Sequence, residues 1–178
     1  MVGIDDSLPF HPLRIAVLTV SDTRTEETDK SGALLIGRIA EAGHELAGKA
    51  IVPDDVAAIR ARVESWVQQP DVDVIVSTGG TGFAPRDVTP EAIRPLCRRE
   101  MDGFAVLFHR ASFGTVGLST LQSRAFAGQI DETFIFCLPG STGACGDGWD
   151  LVLKFELDSR YRPCSLAGQI PRLRELCA

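Results

Sequence analysis

Lysine is scarce in this 178-residue chain: of 18 basic residues only Lys30, Lys49 and Lys154 are lysines, and the formal net charge is −6. An acidic balance without a basic stripe excludes non-specific nucleic-acid binding as a function class, so no nucleic-acid partner is expected. The other cations are arginines, whose planar fork suits phosphate or carboxylate; for most of them a plain surface place is the simpler reading. Cysteine is sparse and odd in number, with Cys97, Cys137, Cys145, Cys164 and Cys177 and no C-x-x-C pair. That excludes a disulfide framework and a structural zinc site. Cys97 and Cys137 sit in apolar runs and read as core. His11, His44 and His109 are scattered without metal-ligand spacing. No apolar run has the length of a membrane span, and no charged segment leads into a long apolar one near residue 1. A cytoplasmic protein without a membrane partner is expected. Repeats, low-complexity segments and linkers are also missing. The expected organisation is a flexible N-terminal arm over 1–13 and one domain over 14–178.

What is present is a series of apolar runs alternating with helical patterns. Arg14 to Val20, the stretch ending Ala50-Ile-Val-Pro53, Asp73 to Ser77 and Thr133 to Leu138 read as strands, all but the second as strands buried on both faces. Helical spacing runs over 31–42, with Gly43 at its end, and over 56–67, where Val56, Ile59, Val63, Trp66 and Val67 share a face. Thr89-Pro90-Glu91 predicts a helix start with a capping hydroxyl, and helical patterns continue to about Phe113. Residues 114–132 are mixed and glycine-rich, and a last helix is predicted from about Gly146 to Leu157. The order predicts an α/β fold of three layers, a mostly parallel sheet with helices on both faces.

In such sheets ligands bind beyond the carboxyl ends of the strands, which directs attention to the loops 21–29, 53–55, 78–89 and 139–146. The first candidate is Ser77-Thr-Gly-Gly-Thr-Gly82. Its glycines permit close approach, its N–H groups can form an anion-binding concavity, and its hydroxyls add donors. An ordinary strand-to-helix turn explains the same residues equally well. The loop is no P-loop, since no lysine follows, and no dinucleotide fingerprint, since Pro85 stands where the third glycine belongs. Asp87 beside a phosphate-holding turn suggests Mg²⁺ between acid and phosphate; an exposed aspartate paired with Arg86 or a neighbouring helix end is the competing reading. Asp54 is equally open to a helix N-cap role. Pro139-Gly-Ser-Thr-Gly143 is a second glycine and hydroxyl loop, able with the first to hold two ends of an extended phosphorylated ligand. Ser21 and Asp22 are candidates to join them.

Four spaced segments carry a resemblance: Thr78-Gly-Gly-Thr-Gly82, Arg86-Asp87-Val-Thr-Pro-Glu-Ala92, Ser119-Thr-Leu-Gln-Ser-Arg-Ala125 and Leu138-Pro-Gly-Ser-Thr142. With them the chain resembles the molybdenum cofactor biosynthesis protein B family, related to the Mog-type molybdopterin adenylyltransferases and the gephyrin G domain. Leu157-Asp158 and Arg160-Tyr-Arg-Pro-Cys164 look like the B branch. The resemblance covers about Arg14 to Ser165. It implies a molybdopterin-binding fold, a homotrimer or homohexamer, and transfer of AMP from Mg-ATP to the terminal phosphate of molybdopterin. Asp54, after Pro53, and Asp87 then match the two carboxylates that act in catalysis and hold Mg²⁺. Ser21, Asp22, Thr78, Gly79, Gly80, Thr81, Gly82, Ser123, Arg124, Pro139, Gly140 and Ser141 are the candidate substrate-binding positions. A carrier that binds molybdopterin without turnover is the alternative, and an unrelated nucleotide-binding module a third reading.

Overall fold

A computed structural model describes residues 2–175, and Cys177 lies outside them. In chain order the elements are β1 (Gly3–Ile4), β2 (Arg14–Val20), α1 (Lys30–Glu41), β3 (Glu45–Val52), α2 (Val56–Val67), β4 (Val74–Thr78), α3 (Thr89–Ile93), β5 (Arg99–Glu100), α4 (Asp102–Val116), β6 (Phe126–Ile130), β7 (Thr133–Leu138), α5 (Thr142–Gly148), α6 (Lys154–Glu156), β8 (Tyr161–Arg162) and α7 (Ile170–Glu175). A π-helical stretch, Trp149–Leu153, joins α5 to α6. The main sheet has six strands in the order β3-β2-β4-β7-β6-β5. The first four are parallel, and β6 and β5 close one side antiparallel. The chain thus has the α/β architecture expected, with helices on both faces.

Alternation along the strands explains the two faces. Ile15, Val17, Val74, Val76, Phe134 and Phe136 point into one core with α1, α4 and α5. Ala16, Leu18, Ile75, Ile135 and Cys137 point into the other with α2 and α3. Strands buried on both sides leave no polar register to read, which is why they appear as unbroken apolar runs. Burial pushes the Cys137 thiol up to about 12; Cys97, Cys137, Cys145 and Cys164 are all free.

Some boundaries differ from the expectation. The N-terminal segment read as an arm is docked: β1 pairs antiparallel with β8, and the Ser159 hydroxyl accepts from the His11 N–H and donates to the Pro9 carbonyl. Residues 126–130, read as irregular, form a strand. The last long helix begins at Thr142, capped by the Ser141 hydroxyl, which accepts from the Ala144 N–H at 3.2 Å. Thr89 does not cap α3; it lies inside the helix, and its hydroxyl donates to the Gly79 carbonyl at 2.8 Å.

On α4, Phe104 and Phe108 are buried, while Val106, Leu107, Phe113 and Val116 are exposed, together with Leu118, Leu121 and Leu151 nearby. No helix among the described residues is long and apolar enough to cross a membrane.

His44 is buried and its Nδ1 accepts from the Leu13 N–H at 3.1 Å. Burial lowers its pKa below 6.5, against the raising charges of Asp158 and Asp73. The native state therefore binds fewer protons than the unfolded one, and stability drops as pH falls through the unfolded value and on toward the folded one. Urea midpoints are expected to fall between pH 7.5 and pH 5.5, with a smaller drop in His44→Gln; equal drops would remove His44 as the cause.

Candidate functional site

The carboxyl ends of β2, β3, β4 and β7 surround one cleft of about 480 Å³. Its floor is the turn after β4, where Gly79 and Gly80 take φ of +102° and +63°. Only glycine adopts such angles without penalty. Space imposes the same choice: a Cβ on Gly79 would lie 2.2 Å from the Val20 carbonyl oxygen, and one on Gly80 would lie 2.3 Å from the Thr89 hydroxyl. The turn is pinned by the Gly79 N–H donating to the Leu138 carbonyl and the Thr89 N–H donating to the Gly80 carbonyl, both at 3.0 Å.

The second loop lies against the first. Thr78 is fully buried, and its hydroxyl donates to the Pro139 carbonyl at 2.9 Å with the Cys145 sulfur at 3.1 Å. Read from sequence as a ligand donor, that hydroxyl ties the two loops together. Burial pushes the Cys145 thiol up to about 11, so it stays protonated and unreactive. Gly79, Gly80, Thr81, Gly82, Pro139, Gly140 and Ser141 all line the cleft. Ser123 joins them, its hydroxyl 3.1 Å from that of Thr81.

Asp54 and Asp87 face this same cavity. The N-cap of α2 is Asp55, whose carboxylate accepts from the Ala58 N–H at 2.8 Å, so the capping reading of Asp54 falls away. The Asp54 carboxylate accepts instead from the Asp22 N–H at 3.0 Å, and Asp22 accepts in return from the Asp54 N–H at 3.1 Å. Partial burial first, then the charges of Asp22 and Asp87, push the Asp54 carboxyl above the usual range, against the Asp22 N–H and Arg86, which lower it. Asp87 accepts from the Ala84 N–H at 2.8 Å. Arg86 does not pair with Asp87: its guanidinium grips Asp22 at 2.6–2.9 Å and holds that carboxyl below the usual range.

Asp22 and Arg124 are outside the lining residues. Asp22 sits at the rim with Arg86, and Ser21 lines the cavity in its place. Arg124 braces the glycine loop from behind. Its Nε donates to the Gly82 carbonyl at 2.9 Å and its Nη2 to the Asp87 carbonyl at 2.7 Å, while Nη1 pairs with Glu91. The Arg124 N–H donates to the Thr81 carbonyl at 2.8 Å. Lysine has no fork to span these acceptors. Arg124→Lys is therefore expected to speed hydrogen exchange of the 82–88 amides about tenfold or more while leaving core amides protected; unchanged exchange in that loop would remove the brace.

The sequence reading missed Thr19, Thr23, Arg24, Ser31 and Gln122, which also line the cleft. Arg24, Thr23 and Ser31 were findable: they lie in or just beyond the polar loop leaving β2, one of the places marked out by the strand-end rule. Thr19 was hidden inside an apolar strand, and Gln122 stands in the Ser119–Ala125 segment that carried the resemblance, directly before Ser123, and was passed over.

An acid pair facing a cavity floored by backbone N–H groups and hydroxyls suits a divalent cation shared with phosphate oxygens. No group of three or more His, Cys, Asp or Glu side chains that could hold a metal occurs among the described residues. Ligand or water oxygens would have to complete the shell, as Mg²⁺ commonly requires.

Comparison with known proteins shows the family to which the chain is similar. The family model described as "Probable molybdopterin binding domain" matches residues 16–159. The molybdenum cofactor biosynthesis protein B of Escherichia coli K12 is 49% identical over 159 residues, covering 89% of this chain and 94% of that one. Its counterpart from Staphylococcus carnosus is 48% identical over 149 residues, covering 82% and 87%. A crystal structure of a molybdenum cofactor biosynthesis protein B superposes with a TM-score of 0.83 at 38% identity, covering 93% of this chain and 98% of that one. With the glycine turn, the second loop and both acids brought to one cleft, the chain belongs to the molybdenum cofactor biosynthesis protein B family.

Proposed function

We propose that this chain acts in molybdenum cofactor biosynthesis as a molybdopterin adenylyltransferase. The observation that carries the reading is the placement of Asp54 and Asp87 on the same cavity as the two glycine loops. A phosphate oxygen of molybdopterin would bond to the α-phosphorus of ATP as the bond to the β-phosphate oxygen breaks, releasing pyrophosphate. Mg²⁺ held by Asp54 and Asp87 would supply neutralisation of phosphate charge. The chain's own part is positional and electrostatic. N–H groups of 80–82 and 140–141 and the hydroxyls of Thr81, Ser123 and Ser141 hold phosphate and pterin. Bracing by Arg124 and the Thr78 hydroxyl keeps those donors in place before the ligands arrive.

Purified protein with molybdopterin, ATP and Mg²⁺ is expected to release pyrophosphate in step with adenylylated product. Tight molybdopterin binding without pyrophosphate, across nucleotides and divalent metals, would make the chain a carrier.

A homotrimer or homohexamer belongs to the same reading. It is supported by the apolar face of α4 and the turn after it, where Leu118 and Leu121 are 73% and 68% exposed. Exposed apolar residues gathered this closely mark interaction surfaces. Light scattering at micromolar concentration is expected to give three or six times the chain mass, and Leu118→Glu with Leu121→Glu to lower it. A monomer in the unsubstituted protein would refute the assembly.

A further inference from the structure

The cleft is built for a phosphorylated ligand, yet it presents two carboxylates, Asp54 and Asp87. Among the described lining residues a single side chain is cationic, Arg24. Arg24 was not among the positions that the family resemblance brought forward.

The loop that carries it is ordered by its own side chains. The Ser21 hydroxyl accepts from the Thr23 and Arg24 N–H groups, both at 3.2 Å. The Thr28 hydroxyl accepts from the Thr25 N–H at 2.9 Å. Asp29, buried, caps α1 and holds the far end of the loop. Arg24 is thus presented by a shaped turn. Its guanidinium spends little on the protein: the Nη1 donates to the Thr28 carbonyl at 3.1 Å, and no acid pairs with it among the described residues. Of the two acids nearest along the chain, Asp22 is gripped by Arg86 and Glu26 is drawn onto β3 by Lys49. The other arginines near the acids are occupied, Arg86 by Asp22 at the rim and Arg124 by Glu91 and the Gly82 and Asp87 carbonyls.

We infer that Arg24 is the anion contact of the cleft, its guanidinium taking phosphate oxygens of the bound ligand. An unspent planar fork facing a cavity is the donor arrangement that recognises phosphate bidentately. It also answers the electrostatic problem of the site, since a phosphate approaching Asp54 and Asp87 alone would be repelled. The inference rests on the reading of this cleft as a site for molybdopterin and nucleotide. The chemistry of a phosphate is shared by both ligands, so the test separates them.

Calorimetric titration with molybdopterin alone, and with ATP and Mg²⁺ alone, compares the unsubstituted protein with Arg24→Gln, Arg24→Lys and Arg98→Gln. Arg98 pairs with Asp131 at the amino end of β7, away from the cleft, and controls for bulk charge. Loss of a charge-assisted pair of this kind is expected to weaken binding about tenfold or more. Arg24→Gln should lose that much for one or both ligands, Arg24→Lys less, and Arg98→Gln nothing, with thermal midpoints unchanged because the Arg24 side chain is exposed. A loss confined to molybdopterin assigns the pterin phosphate, and a loss confined to ATP assigns the nucleotide. Equal affinities in Arg24→Gln and the unsubstituted protein overturn the inference and leave the functional reading standing. An equal loss in Arg98→Gln also overturns it. Failure of the unsubstituted protein to bind either ligand overturns both.

Discussion

Asp87→Asn is expected to slow the proposed adenylylation about 100-fold, equivalent to about 3 kcal/mol of transition-state stabilisation. The scale follows from removing a charge while keeping the shape. Asparagine can still accept from the Ala84 N–H through its side-chain carbonyl, as Asp87 does at 2.8 Å, so the loop should keep its course. The loss should fall on the rate more than on molybdopterin binding. Molybdopterin affinity measured without metal should hold or rise, since a charge of the ligand's own sign has left the cavity. Asp87→Ala serves as the comparison, because it removes charge and loop bond together. It should lose affinity as well as rate. Steady-state rates of pyrophosphate release, with molybdopterin affinity from titration, decide the matter. Full turnover in Asp87→Asn would remove Asp87 from the machinery, and an equal loss of affinity in both variants would make it a loop-shaping residue only.

Gly79→Ala is expected to cost about 3 kcal/mol of folding stability. A backbone at φ +102° charges any L residue roughly 1–2 kcal/mol. The added methyl must also displace the Val20 carbonyl, which a Cβ would meet at 2.2 Å. Val20 ends a strand buried on both faces and has no room to yield, and overpacking of this kind costs roughly 1–3 kcal/mol. The Gly140 backbone rests on the same point, 3.3 Å from its own would-be Cβ to the Gly79 Cα, so a shift of Gly79 would also disturb the second loop. The opposite sign is expected at Gly37, in α1 and with nothing within 4 Å of its would-be Cβ. Gly37→Ala should stabilise by about 0.5–1 kcal/mol through helix propensity alone. Urea denaturation of the two variants gives the comparison. A Gly79→Ala protein as stable as the unsubstituted one would show that the turn tolerates another course.

Strands buried on both faces were legible because burial on both sides demands apolar residues at every position, as in Ile15 to Leu18. The antiparallel strand β6 was not, because Gly128 and Gln129 interrupt it and its neighbour β5 has two residues. Its pairing with β7 is a tertiary decision that no local pattern announces. In the cleft, the motif residues come together around one cavity, and local chemistry then distributes their contacts in ways residue type alone does not show. A threonine hydroxyl is a ligand donor or a tie between loops depending on what lies within 3 Å, and Thr78 has the Pro139 carbonyl there. Adjacent acids, Asp54 and Asp55, differ in the same way: one helix start needs one cap, and Asp55 takes it. Arginine is the least predictable of all, since its reach lets Arg124 serve acceptors some 40 positions away, at separations of 42 and 37 residues.

The pairing of β1 with β8 has a consequence for the order in which the molecule assembles. The bond from His11 to Ser159 joins positions 148 residues apart, and the paired strands lie at similar separation. Contacts this distant cannot form until the chain between them has collapsed, because the entropy of closing so large a loop must first be offset by nearer contacts. The two-residue ladder is also too short to persist alone. Residues 3–11 should therefore join the native structure late and leave it early, ahead of any opening of the sheet that holds the cleft.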